Sequence, residues 1–573
     1  MRLIKIGLAN VDPTVGAFAS NAAKIIALAR GMAEERCTVG VFPECVISGY
    51  PAEDFVQWQG FVRGQWRTLE TFARATQTWL FQTVFVLGLV VEHGGHLYNA
   101  AAVVCGGKIV GLVPKEKLPT YNVFYERRTF SAGVPGLNSE ILGIPFGDHI
   151  FEFPFGLVAV EVCEDIWSPD GPMKRRAYSG AELVVNISAS PWRAGVVATR
   201  REMISTRAAD NCATVVYVNQ EGGNDGLVFD GGGFVNQGGR MMLESPRWQE
   251  GIETVVLDLD RTTRQRRENT TWRTDCEEFL KGHAPARRLA MSAGSSPNEP
   301  TYRYPTPDTG NFFLPPDEAP CSPRREYLRD LVEAMVAGLK GYFEKNAGAF
   351  KRITVALSGG RDSALVLIVS WLYAKRRFAH LQGVVERIQA VHEFIHCFSM
   401  PTSFNSPATR RAAQALCEFL SVSFKEVGIQ EAFARELEAA REMLGAGMAP
   451  TETAVQNIQA RIRAGRMWNW TNSAKGLWVQ AGNMSEKAVG YTTIGGDLEG
   501  AYSLIGNLPK SVVEELLRHL RDEYRISPLD EILRSKASAE LNEGQTDEQD
   551  LMPFAVLDAC YYLFAGEKMM PVE

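Results

Sequence analysis

The stretch Ser358-Gly359-Gly360-Arg361-Asp362-Ser363 constrains this chain more than any other. Residues 353–357 before it form an apolar run of buried-strand length, and residues 364–372 after it are apolar enough for a buried helix. A strand, a glycine turn and a helix start together make an anion site. Glycine lets main-chain N–H groups approach the ligand, and the helix N-terminus adds positive potential. Ser358 and Ser363 offer hydroxyls to phosphate oxygens. Asp362 would repel a phosphate unless a divalent cation lay between them, so it reads as a Mg²⁺ ligand. A P-loop would carry G-x-x-x-x-G-K-[ST], and this loop has no such lysine.

Length and charge bound the rest. With 573 residues the chain is long enough for two or more domains. A net charge of −7 argues against a nucleic-acid surface as the main business. Ten cysteines are scattered without a C-x-x-C, the usage of free thiols in a reducing compartment. The chain enters a strand at residues 3–11 with no charged-then-apolar leader, and no run of 18 uncharged apolar residues occurs. The expectation is a cytoplasmic enzyme with no membrane partner.

The first half alternates strands and helices. Strands are expected near residues 3–8, 38–42, 83–91, 98–104, 157–162, 183–187, 215–218 and 254–259, with helices over 17–35 and 198–211. This pattern is that of a layered α/β domain. Three polar residues stand just past strands or in loops: Glu44, Lys115 and Cys163. Strand ends are where α/β folds place chemistry. A free thiol is mostly protonated at neutral pH, so a nucleophilic Cys163 needs a base, and Glu44 is suited to take the proton. Attack on an amide makes an oxyanion, which the Lys115 ammonium and main-chain N–H groups after Cys163 can hold.

Phe42-Pro43-Glu44, Lys115-x-x-Leu118-Pro119-x-Tyr121 and Cys163-Glu164-Asp165-x-Trp167 resemble the Glu–Lys–Cys motifs of the nitrilase (carbon–nitrogen hydrolase) superfamily, in the form of its glutamine amidase branch. The resemblance implies a four-layer αββα sandwich over residues 1–262. It also implies a second glutamate at Glu126 and glutamine contacts from Tyr121, Glu126 and Ser190. The family often has a basic residue where Val196 stands, and Arg193 or Arg200 are the alternatives nearby. Residues 224–232 read as a hairpin that serves packing.

Residues 263–324 turn basic and then Pro- and Ser-rich, and read as a linker. Arg264-Gln265-Arg266-Arg267 reads as a solvated face or subunit contact. Residues 297–320 read as extended but docked by Phe312-Phe313-Leu314. Residues 325–573 are expected to form the second domain. A helix is expected over 325–343, a helical insertion over 376–391, and strands over 394–400 and 422–427 with a helix over 407–420 between them. Strand–helix–strand repetition implies a doubly wound parallel sheet with a nucleotide at the strands' C-terminal ends.

The Ser358 loop resembles the SGGxDS loop of the ATP pyrophosphatases, which hold the pyrophosphate that leaves when ATP adenylates a carboxylate. Asn457 to Arg463, Gly482-Asn483-Met484-Ser485-Glu486, Gly490-Tyr491-Thr492-Thr493, Gly495-Gly496-Asp497, Asn507-Leu508-Pro509-Lys510, Ser538-Ala539-Glu540-Leu541 and Gln545 to Leu551 resemble NAD synthetase in order. The two halves together resemble the glutamine-dependent NAD synthetase family. The resemblance implies that glutamine, ATP and deamido-NAD are the substrates, with ammonia passed from the Cys163 site to an adenylate site, along a protected route. ATP would be held by Ser358, Gly359, Gly360, Arg361, Asp362, Ser363 and the position of Ala481, where the family often has Thr. Deamido-NAD would be held by Asn457, Arg461, Glu486, Tyr491, Asp497 and Lys510. Asp362 and Glu486 would hold Mg²⁺, and the protein would be a homo-oligomer with a dimeric synthetase core. Relatives commonly continue beyond the position of Glu573.

Overall fold

The computed structural model describes residues 1–291, 301–306, 322–535, 541 and 551–566. The chain divides into two compact units, Met1–Cys321 and Ser322–Glu573.

In the first unit two sheets stack face to face. One has eight strands in the order Gly251–Asp258, Leu3–Asn10, Val39–Val41, Val84–His93, His96–Cys105, Lys108–Pro114, Ile144–Gly147, Asn138–Ile141. The other has seven, in the order Arg240–Glu244, Gly233–Gln237, Thr214–Asn219, Leu183–Ser188, Gly156–Val162, His149–Phe153, Arg287–Ala290. Side chains of a strand point alternately to its two faces. Ile4, Ile6 and Leu8 therefore meet Val158, Val160 and Val162 in the core between the sheets. The opposite face of the first sheet, through Phe85, Leu87 and Leu89, packs on Ile25, Met32, Leu69 and Phe72 of helices Phe18–Glu34 and Gln59–Thr76. On the far side of the second sheet, Val184, Val215 and Tyr217 meet Val197, Ile204 and Ala208 of helix Val196–Asp210. The result is the αββα sandwich. Gly156–Val162, Leu183–Ser188 and Thr214–Asn219 run parallel, which brings their C-terminal ends side by side.

The expected linker is a correction. Residues 263–290 complete helix Asp260–Glu268 and form helix Thr270–Gly282 and strand Arg287–Ala290, which pairs in parallel with His149–Phe153. Arg266 is not solvated. Its guanidinium donates to the carbonyls of Cys212 (2.9 Å) and Ala181 (2.6 Å) and lies over the Trp272 ring. The docking expected of Phe312-Phe313-Leu314 lies outside the described residues.

The second unit is built on a parallel sheet in the order Ser423–Glu426, Ile395–Ser399, Arg352–Ala356, Gly476–Gln480, Tyr502–Ser503. Helix Arg361–Arg377 follows the central strand and is buried along most of its length. The expected insertion at 376–391 divides otherwise: Arg376 and Arg377 close that helix, and a separate helix Val384–Phe394 feeds the next strand. No described helix is long and apolar enough to cross a membrane.

Candidate active site

Cys163 closes strand Gly156–Val162 and opens the short helix Glu164–Trp167. Its φ of +46° lies in a region that L side chains rarely adopt, the mark of an elbow held by its surroundings. The holding groups are visible. The Cys163 N–H donates to the Ile187 carbonyl at 2.8 Å, and Asn186 Nδ2 donates to the Cys163 carbonyl at 3.3 Å.

Glu44 stands three residues beyond strand Val39–Val41, with its backbone pressed on the neighbouring strand at Gly88. A Cβ at Gly88 would lie 2.2 Å from the Cys45 nitrogen, so only glycine fits there. Glu44 Oε1 accepts from Lys115 Nζ at 2.8 Å and from Asn99 Nδ2 at 2.6 Å, while Oε2 accepts from the Ala189 N–H at 2.7 Å. Lys115 Nζ also donates to Glu126 Oε1 at 2.8 Å, and the Tyr50 hydroxyl donates to the same oxygen at 3.2 Å. Glu44, Lys115, Glu126 and Cys163 are all buried.

Burial sets the electrostatics. It opposes the charge on Lys115, but Glu126 and Glu44 outweigh it and hold the ammonium well above its ordinary pKa. Burial pushes the Cys163 thiol well up; Glu44 adds to this and Lys115 opposes it. The thiol is thus protonated at neutral pH and needs a base. Burial also raises the Glu126 carboxyl to about 7, against the pull of Lys115.

The residues expected to bind glutamine sit in different surroundings. Tyr121 is half exposed and donates its hydroxyl to Glu164 at 2.8 Å. Ser190 is buried, and its hydroxyl accepts from Arg200 Nη2 at 3.1 Å. Val196 is buried and apolar, and Arg193 is exposed. A cavity of about 270 Å³ borders Cys45, Tyr50 and Glu126, but Tyr121, Ser190 and Cys163 are not on its wall. The second oxygen of Glu126 has no hydrogen-bond partner among the described residues. The hairpin is not packing alone: Glu221–Asn224 pairs with Leu227–Asp230 as expected, but its tip at Asp225, Gly226 and Leu227 walls this cavity.

In the second unit the loop before helix Arg361–Arg377 takes the expected shape. Gly359 has φ +88°, and a Cβ there would lie 2.2 Å from the Thr409 carbonyl oxygen. The Gly360 N–H donates to Ser358 Oγ at 3.1 Å, and Ser358 and Ser363 hydroxyls lie 3.1 Å apart. A cavity of about 830 Å³ opens here. Its wall includes every residue of the loop together with Ala481, and across from it Asn457, Glu486, Tyr491, Asp497 and Lys510. Arg361 borders the cavity, but its guanidinium is engaged by Glu514 (2.6 Å) and by the carbonyls of Leu533 and Ser535. Arg461 is not on the wall; its Nε donates to the Ile494 carbonyl at 3.1 Å, within the loop that carries Tyr491 and Asp497.

Asp362 and Glu486 converge. Lys510 Nζ donates to Asp362 Oδ2 and, at 3.2 Å, to Glu486 Oε1. No group of three or more metal-binding side chains occurs among the described residues. Two convergent carboxylates beside the Ser358 loop nevertheless fit Mg²⁺, which takes one or two carboxylates and completes its shell with phosphate oxygens and water.

Two roles escaped the sequence reading. Asn99 orients Glu44, and its signal is a polar residue heading the apolar run 100–104. Asn483 donates to Asp362 Oδ1 at 3.0 Å and caps helix Met484–Ala488 with Glu486 as its reciprocal partner. The N-x-x-E spacing of a capping box is legible in sequence. Ser538 to Glu540 and Gln545 to Asp550 lie outside the described residues.

Residues 5–267 match the carbon–nitrogen hydrolase family and residues 331–572 match NAD synthase. Fold and family matches thus define a chain that joins a carbon–nitrogen hydrolase unit to a nucleotide-using ligase unit. It is 31% identical over 575 residues to the glutamine-dependent NAD(+) synthetase of Aquifex aeolicus, covering 100% of this chain and 91% of that protein. The Thermotoga maritima enzyme of that name is 31% identical over 584 residues, covering 100% of this chain and 90% of that protein. The solved Acinetobacter baumannii glutamine-dependent NAD+ synthetase, in complex with ADP, superposes with a TM-score of 0.72 at 25% identity, over 99% of this chain and 89% of that one. The chain belongs to the glutamine-dependent NAD(+) synthetase family.

Proposed function

We propose that this chain makes NAD from deamido-NAD, with ATP as the activating substrate and the side-chain amide of glutamine as the nitrogen source. What supports the reading most directly is that a base, an ammonium and a thiol converge in one unit while the Ser358 loop walls a nucleotide-sized cavity in the other.

In the first unit Glu44 takes the Cys163 proton as sulfur attacks the amide carbon. Lys115 and the main-chain N–H groups that follow Cys163 hold the oxyanion. Collapse expels ammonia, which carries the proton away, and leaves a glutamyl thioester. Water, deprotonated by Glu44, clears it as glutamate. Glu126 keeps Lys115 charged, and Tyr121, Glu126 and Ser190 serve glutamine.

In the second unit the nicotinate carboxylate of deamido-NAD attacks the α-phosphorus of ATP, and pyrophosphate leaves. Ser358, Gly359, Gly360 and Ser363 hold the departing pyrophosphate. Asn457, Tyr491 and Asp497 line the dinucleotide side, and Lys510 offers charge to phosphate. Asp362 and Glu486 would hold Mg²⁺, which when bound screens the phosphate charge. Ammonia then attacks the acyl adenylate and AMP departs. Ammonia is a nucleophile only when unprotonated, so it travels by a protected route within a homo-oligomer.

The test supplies deamido-NAD, ATP, Mg²⁺ and amide-labelled glutamine. Label in the NAD carboxamide, undiluted by a little unlabelled ammonium, is the expected result. NAD without label would overturn the reading, and label diluted to the ammonium pool would remove the protected route.

A further inference from the structure

Asp165 stands two residues past Cys163, is fully buried, and has no part in the steps above. Its Oδ1 accepts from the main-chain N–H of Glu116 at 3.0 Å and of Lys117 at 2.8 Å; its Oδ2 accepts from the Val162 N–H at 3.0 Å. Val162 is the residue before the thiol, and Glu116 is the residue after the ammonium. One carboxylate therefore ties together the two stretches of chain that carry sulfur and positive charge, which come from different sheets.

A second clamp backs the first. Glu116 Oε1 accepts from Arg175 Nη2 at 2.5 Å and Arg176 Nη2 at 3.1 Å, and both guanidiniums also reach Asp148, at 2.8 and 2.9 Å. Arg176 and Asp148 are buried as well. Helix Pro172–Tyr178 thus pins the Lys115 loop from outside while Asp165 pins it from within.

We propose that Asp165 is a positioning residue for glutamine hydrolysis, fixing through the main chain the distance between the Cys163 sulfur and the Lys115 ammonium, with Glu116 securing the outer side of the same loop. This rests on the reading of Cys163 as the nucleophile. Stabilisation of developing charge by a fixed donor falls steeply when the donor is misplaced, and a shift of ~1 Å can cost ~10²-fold in rate.

Asp165→Asn turns one acceptor into a donor, so at least one of the three N–H groups faces another N–H. The expected result is a ~10²-fold fall in kcat for glutamine hydrolysis, with ammonium-driven NAD synthesis unchanged. The pH midpoint for alkylation of Cys163 by iodoacetamide, located by peptide mass, rises because Lys115 no longer favours the thiolate. Asp165→Glu, which keeps both acceptor oxygens, recovers part of kcat. An unchanged kcat with an unshifted alkylation profile overturns the proposal, even where thermal stability falls. Should Asp165→Asn not accumulate, Glu116→Gln reads the same loop: a smaller loss in the same direction supports the proposal and wild-type hydrolysis overturns it. Glutamine hydrolysis surviving in Cys163→Ser would sink the nucleophile reading, whereas its loss there beside a normal Asp165→Asn enzyme would sink this inference alone.

Discussion

Arg200 donates to both oxygens of Ser190, the carbonyl at 2.8 Å and the hydroxyl at 3.1 Å, while its other terminal nitrogen pairs with Asp230 at 2.7 Å. Arg200 and Asp230 are fully buried. Removing the guanidinium strands a buried carboxylate, for which Arg247 at 3.6 Å is a weak substitute. Arg200→Met is expected to cost ~3 kcal/mol in urea denaturation, the low end for a broken buried pair. Ser190→Ala deletes one acceptor and is expected to cost only ~1 kcal/mol, while raising KM for glutamine and leaving ammonium-driven synthesis alone. Equal loss of both syntheses in Ser190→Ala would remove it from the glutamine site.

Cys163→Ser separates the two chemistries. Serine lacks a base strong enough to ionise it here, so glutamine-driven NAD formation should fall to background. Ammonium-driven formation should continue at the wild-type rate, because the Ser358 loop and its cavity lie in the other unit. Parallel assays with the two nitrogen sources check this, and joint failure would refute the division of labour.

Asp362→Asn should give the reverse pattern. It keeps the Lys510–Glu486 contact and removes one of the two convergent carboxylates. Pyrophosphate release should fall with either nitrogen source, and the Mg²⁺ concentration for half-maximal release should rise. Glutamine hydrolysis by Cys163 should persist. An unaltered Mg²⁺ requirement would exclude Asp362 as a metal ligand.

Glu161 predicts a pH dependence of stability. One of its oxygens accepts from Asn186 at 3.2 Å and the other has no partner among the described residues. Burial, with Asp165 adding to it, raises the carboxyl from 4.5 to about 8. A raised folded pKa means that the folded chain binds the proton more tightly, so the stabilisation is full below 4.5 and is lost as pH rises through 8. Glu161→Gln keeps an acceptor and cannot ionise. Its stability should therefore stay flat over this range where the wild type loses on the order of a few kcal/mol. Parallel melting curves with the same alkaline slope would refute the assignment.

The strands were legible because burial of one or both faces writes itself as apolar runs and alternation, as at Ile4, Ile6 and Leu8. The Ser358 loop was legible because Gly359 answers a local demand, a positive φ between a strand and a helix. What was not legible depends on residues far apart in sequence. Arg266 sits in a basic run that looks solvated, yet carbonyls at Ala181 and Cys212 accept its hydrogen bonds from other elements. Arg461 was expected on the dinucleotide side, but its side chain serves the Ile494 carbonyl, and nothing local foretells that. Asp165 lies inside a motif, but its three partners come from two separate stretches of chain, so the sequence offers its presence and not its work.

The cavity beside Glu126 is closed on one side by the two-residue turn between Asn224 and Leu227. Turns of this kind accept changes in length and composition that sheets do not. Access to the inner carboxyl can therefore be widened, narrowed or given a different polarity by editing a few surface residues, with the elbow that bears the nucleophile left as it is.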